Sequence, residues 1–190
     1  MSPPEVWGPP IWTFFHTLAE KVNEEYFLSI KNTLFFFIKR ICNFLPCPDC
    51  SQHANRFLAK VDISKIKNKL DFKNMLYVFH NTVNKRKHKP LFSYVNVDRY
   101  KKYNIGSVFN HFVSVYHTKG NMNLIAESFQ RNLLVKDLKV WLISNHKYFK
   151  PSKRPIHPPS QSHPEDNSIN RNENINEPSD NATNNLQITN

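Results

Sequence analysis

Between residues 26 and 45, apolar side chains return at three- and four-residue steps, at Leu34, Phe37, Ile38, Ile41, Cys42 and Leu45, until Pro46 stops the run. That recurrence lays one apolar stripe along an α-helix, and such a stripe is stable only when other helices cover it. Lys31, Asn32, Lys39, Arg40 and Asn43 interrupt the same stretch. They are too many polar groups for a membrane span of about 20 apolar residues, so an amphipathic helix buried on one side is expected.

The chain supplies the covering partners. Trp12, Phe15, His16, Ala19 and Val22 follow a Pro9-Pro10 start and predict a first helix. A third helix is expected to begin at Cys47-Pro48-Asp49-Cys50, with Pro48 at the first helical position, and to run through Ala54, Phe57, Leu58 and Val61. Asp71 is a candidate N-cap for a fourth helix carrying Phe72, Met75, Leu76, Phe79 and Val83. Only three glycines occur, Gly8, Gly106 and Gly120, and strand-like alternation is scarce. The expectation is an all-α chain built on a four-helix bundle with short connections. Residues 94–103, 108–116, 123–134 and 136–144 read as further helices.

Composition shifts at Pro151. From there to Asn190 large apolar residues nearly vanish and Asn, Pro, Ser and Glu take over, so the segment cannot bury enough surface to offset its ordering entropy and is expected to be disordered. This tail holds three cations and five anions of a chain whose net charge is +11, which leaves about +13 on residues 1–150. A body that basic attracts anions without sequence specificity, and a solvated lysine-rich surface accounts for it equally well. The first dozen residues lack the basic and apolar regions of a secretory signal.

Three cysteines, Cys42, Cys47 and Cys50, do not make a secreted disulfide framework. Cys47 and Cys50 form a CxxC at a helix N-terminus, where free N–H groups and the positive end of the helix dipole favour a thiolate, the species that exchanges disulfides. The same spacing also nucleates zinc sites, with His53 one turn on and Cys42 or His80 as further ligands, but no second CxxC or HxxxH is present. Cys42 lies on the apolar stripe of the second helix and reads as a buried, inert thiol; the alternative is a bond to another chain or to the Cys47 pair.

Two more constellations carry chemistry. Along the fourth helix His80, Asn84 and Lys87 share a face, with Asn81 one step round. Asn is a poor helix former, so two within four residues suggest amide groups reading a polar ligand, with Lys87 or Lys89 near its phosphates; a solvated face is the plain alternative. On the first helix Trp12 and His16 sit four residues apart, following Trp7 and Gly8, and offer either core or a stacking surface with an imidazole in reach.

Taken in order, WGPPIWTFFH, then LPCPDCSQHA, then FHNTVNKRKHKP resemble the motifs of the Erv/ALR family of FAD-linked sulfhydryl oxidases, most of all its compact members encoded by large DNA viruses. The resemblance covers residues 7–95. It implies a bundle of four main helices and a short fifth holding FAD, here followed by extra C-terminal helices: a sulfhydryl oxidase bundle at 1–95, a helical extension at 96–150 and the disordered tail at 151–190.

The same resemblance implies that Trp7, Gly8, Trp12, His16, His53, His80, Asn81, Val83, Asn84 and Lys89 contact FAD, with Lys87 beside them, and that no metal is needed. Cys47 and Cys50 become the redox pair, Cys47 exchanging with incoming thiols and Cys50 facing the flavin. The helix dipole is expected to favour Cys50, the deeper of the two thiols, as thiolate. Electrons would pass from a dithiol protein, through a thioredoxin-like or CxxC relay protein, via the pair to FAD and then to O2, giving H2O2. The family further implies a homodimer acting in the host cytoplasm or viral factory, or packaged in the virion, with no specific nucleic acid bound and no membrane span. Cellular members often carry a second cysteine pair, whose places are taken here by Tyr77 and Tyr94. The readings from other classes are a structural zinc-binding module and a basic nucleic-acid-binding protein.

Overall fold

The computed structural model describes residues 3–116 and 125–149. Among these residues six α-helices follow one another: α1 (Pro4–Lys21), α2 (Glu24–Asn43), α3 (Pro48–Ala59), α4 (Lys69–Arg86), α5 (Ile105–Tyr116) and α6 (Ile125–Ser144). Short 3-10 segments stand at Ile63–Lys65, Tyr94–Lys102 and His146–Tyr148, and no strand occurs among the described residues beyond one isolated bridge between Val22 and Phe149. The fold is all-α, as the periodicity predicts. The described residues belong to one compact unit; the tail expected to be disordered lies outside them.

Aromatic contacts join the helices in pairs. Phe14 stacks on Phe112 with ring centroids 4.8 Å apart and ties α1 to α5; Phe27 meets Phe72 at 5.6 Å between α2 and α4; Phe57 stacks on Phe79 at 4.6 Å between α3 and α4. Phe14, Phe27, Phe72, Phe79 and Phe112 are almost wholly removed from water, each burial contributing about 1.5–3 kcal/mol. The helix α6 runs antiparallel to α2: Arg131 reaches Phe44, Asp137 pairs with Arg40, Trp141 packs on Phe37, and the Asn23 amide donates to the Tyr148 carbonyl.

Several boundaries differ from expectation. α1 begins at Pro4, so Pro9 and Pro10 lie inside it. They leave the carbonyls of Glu5 and Val6 without helical partners, a loss confined to the second turn. A Cβ at Gly8 would meet nothing within 4 Å, so no neighbouring element requires a glycine there. The cap of α4 is Asn68, whose side chain accepts from the Asp71 amide, while Asp71 accepts from the Lys67 amide. The expected helices 123–134 and 136–144 are one helix over the described residues 125–144, since no breaker separates Leu134 from Lys136.

Candidate functional site

The α2–α3 turn is built to present the two cysteines. Cys47 is the N-cap of α3 and Pro48 its first residue, where a missing N–H costs nothing. Cys47 and Cys50 are disulfide-bonded, with Cα atoms 5.1 Å apart. The Cys50 amide donates to Cys47 Sγ at 3.2 Å. The helix-end stabilisation therefore falls on the Cys47 sulfur rather than on Cys50, because an N-cap side chain lies outside the helix facing its free amides.

Beside the pair opens a cavity of roughly 400 Å³, within the range of cofactor sites. Its lining draws on α1 (Trp7, Gly8, Trp12), on α3 (Cys50, His53, Phe57), on α4 (His80, Val83, Asn84) and on the chain beyond (Lys87, Lys89, Phe92, Arg99, Tyr100). Cys50 lines it and Cys47 does not. The two thiols thus differ in place, one toward the interior space and one away from it.

One wall is a layered set of rings. His80 is sandwiched between Trp12, at 4.2 Å and 7° between planes, and Phe92, at 4.8 Å and 18°. His80 Nδ1 meets His16 Nε2 at 3.1 Å, and His16 stacks in turn on Tyr100 at 4.9 Å. Burial suppresses protonation of both imidazoles, His16 down to about 3 and His80 to about 4, so both are neutral near pH 7. Arg99 lies over the Phe92 and Tyr100 rings and donates to the Tyr100 hydroxyl at 3.2 Å.

At the rim, Arg86 bonds the Asp49 carboxylate at 2.7 Å, and Lys89 pairs with Glu5 at 3.1 Å. His53 Nδ1 lies 2.6 Å from the Asp49 carbonyl and 3.3 Å from its carboxylate.

Most of the residues expected at a flavin site come together around this cavity; His16 and Asn81 do not line it. His16 is buried behind His80. Asn81 spends its amide on the chain after α4, donating to the Phe92 carbonyl at 3.0 Å and accepting from the Phe92 amide at 2.7 Å. Asn84 donates likewise to the Pro90 carbonyl at 3.2 Å. The two asparagines thus clamp residues 90–92, which places Phe92 against His80 and accounts for their presence in mid-helix.

Phe57, Arg86, Phe92, Arg99 and Tyr100 also line the cavity and carried no sequence signal for it. Cys42 lines it as well, buried and with its thiol pushed far up by desolvation. Among the described residues no three His, Cys, Asp or Glu side chains are arranged to hold a metal ion, and no helix is long and apolar enough to cross a membrane.

Flat ring faces, an apolar interior, basic groups at the rim and a disulfide sulfur on the wall are the features an FAD molecule requires. The residues present fit it.

Comparison with known proteins follows the same line. The family model described as the Erv1/Alr family matches residues 9–104. A protein of Invertebrate iridescent virus 3, provisionally named an FAD-linked sulfhydryl oxidase, is 30% identical over 91 residues, covering 46% of this chain and 60% of its own length. One of Invertebrate iridescent virus 6, with the same provisional name, is 32% identical over 94 residues, covering 46% of this chain and 85% of its own. The FAD-linked sulfhydryl oxidase of an African swine fever virus isolate from Kenya is 32% identical over 88 residues, covering 46% and 73%. No solved structure matches the chain.

Proposed function

The chain belongs to the Erv1/Alr family, and from that premise we propose that it is an FAD-linked thiol oxidase that makes disulfides in protein substrates. The observation that carries this reading is the position of Cys50 on the cavity wall, bonded to a Cys47 that lies outside the cavity.

The chemistry starts at Cys47. A substrate thiolate attacks Cys47 Sγ, the Cys47–Cys50 bond breaks, and Cys50 leaves as a thiolate. The second substrate thiol then attacks the mixed disulfide, releasing Cys47. In sum, one substrate dithiol becomes a disulfide, the protein disulfide becomes two thiols, and two electrons and two protons arrive at the pair. The amide of Cys50 supports the departing charge on Cys47. Cys50 then stands at the cavity with the electrons to pass on.

Bound in the cavity, FAD would supply a two-electron acceptor that O2 can reoxidise, giving H2O2. The rings of Trp7 and Trp12, with Gly8 and Val83, would form its resting surfaces, His80 would meet it by its ring edge, and Asn84, Lys87, Lys89 and His53 would offer polar contacts, the lysines suited to its phosphates. His16 and Asn81 would act at one remove, His16 through His80 and Asn81 through Phe92. The neutral His80 presents its remaining ring nitrogen without adding charge to an apolar wall.

Protein dithiols, among them a thioredoxin-like or CxxC relay protein, are the proposed substrates, and a homodimer the proposed assembly. The viral origin of the relatives supports a place of action in the host cytoplasm, the viral factory or the virion. Purified protein should be yellow and should consume O2 when given dithiothreitol, with H2O2 as product. A colourless protein that leaves O2 untouched after incubation with FAD would contradict the proposal.

A further inference from the structure

Cys47 lies outside α3, at its N-cap, so its position depends on residues 44–46 that lead into it. Helix ends leave carbonyls without partners, and around the end of α2 Ile41, Cys42 and Leu45 are buried. Two side chains from far along the sequence bond to that end. The Tyr116 hydroxyl, wholly buried on α5, donates to the Ile41 carbonyl at 3.1 Å. Arg131 of α6, with 2% of its side chain exposed, donates to the Phe44 carbonyl at 3.3 Å and lies 3.6 Å from Glu127. Next in the chain, the Leu45 amide donates to Ser51 Oγ at 3.1 Å inside α3. Ile41, Phe44 and Leu45 are thereby tied, two of the three ties coming from helices outside the matched family region of residues 9–104.

A fully buried arginine is expensive to desolvate unless its donors are used. Here it bonds the turn that carries Cys47, where the negative end of α2 also favours a cation. We propose that Arg131, with Tyr116, is a positioning residue for the redox pair: it fixes the 41–46 turn so that Cys47 Sγ stays in bonding range of Cys50. The C-terminal extension then serves the oxidase centre directly. The inference rests on Cys47–Cys50 being that centre.

Thiol–disulfide equilibrium tests it. In the exchange, one reduced dithiothreitol becomes the oxidised ring while the Cys47–Cys50 disulfide becomes two thiols, and with O2 excluded, so that no electrons drain away, acid quenching with thiol alkylation counts each form in the holoprotein. In Arg131→Met and Tyr116→Phe the turn loosens and the two thiols meet less often, so the equilibrium should move toward the dithiol by about fivefold or more, the scale of a lost bond to a charged donor. The kcat for dithiothreitol oxidation should fall with KM little changed, and Arg131→Lys should recover part of the loss. A merely structural role would lower the thermal midpoint without moving the exchange equilibrium of the folded protein. If Arg131→Met does not fold, Tyr116→Phe decides alone. Folded variants with the wild-type equilibrium and kcat overturn the inference by itself. A wild-type pair that never exchanges with dithiothreitol overturns the functional reading, and this inference with it.

Discussion

His16 and His80, 64 residues apart in sequence, meet through Nε2 and Nδ1 at 3.1 Å between Trp12, Phe92 and Tyr100. Burial holds their folded-state values at about 3 and about 4, below the ordinary imidazole value of 6.5. Between those limits the unfolded chain takes up protons that the folded chain refuses, so stability falls as pH drops from about 6.5 toward 4. Each imidazole kept neutral steepens that fall by up to about 1.4 kcal/mol per pH unit. Urea denaturation at pH 7, 6, 5 and 4 should show the slope, and His16→Phe should flatten it. An unchanged slope in that variant would assign the acid sensitivity to other groups.

Arg86 neutralises an acid placed where it does harm. Asp49 sits between the two cysteines, and its carboxyl is held below the usual range by the hydrogen bond from Arg86. Arg86→Ala frees that carboxylate to oppose a thiolate on Cys47. The thiol of the reduced pair should titrate higher, a modest effect because the bridge is exposed, and the difference should shrink in high salt. Thiolate absorbance against pH measures it.

Tyr77 and Tyr94 pack edge to face with centroids 5.1 Å apart, and the Tyr94 hydroxyl donates to Asn74 at 2.9 Å. At the places where a second cysteine pair is expected in cellular relatives, a ring pair joins α4 to the segment after it. A double-mutant cycle with Tyr77→Ala and Tyr94→Ala should return a coupling of about 0.5–1.5 kcal/mol. Additive losses would show that the rings act separately.

His88 closes α4 with φ at 54°, the left-handed conformation that glycine adopts freely. His88→Gly should stabilise the protein by about 1 kcal/mol, read as a higher urea midpoint at constant slope.

What the sequence reveals depends on how local the cause is. Cys47 as N-cap, Pro48 at the first position and the apolar stripe of α2 follow from neighbours a few residues away, and all are legible. Asn81 and Asn84 are legible as anomalies, but their partners at residues 90–92 form a turn whose path no periodicity encodes. Arg99 and Tyr100 reach the cavity from a 3-10 segment, and Arg131 reaches the cysteine turn from 87 residues away. Such placements are set by how helices pack, which spacing alone does not fix. The Pro9-Pro10 pair misleads for a related reason: it reads as a helix start, while Pro4 takes that position and the helix continues through the pair.

We propose that electrons from a dithiol enter the cavity through Cys50. Anaerobic rapid mixing of the FAD-loaded protein with dithiothreitol, followed at the flavin's visible band, tests it most directly. The wild-type band should bleach by two electrons per chain, and Cys50→Ala should stay coloured on the same timescale. A Cys50→Ala protein that bleaches at the wild-type rate would contradict the account.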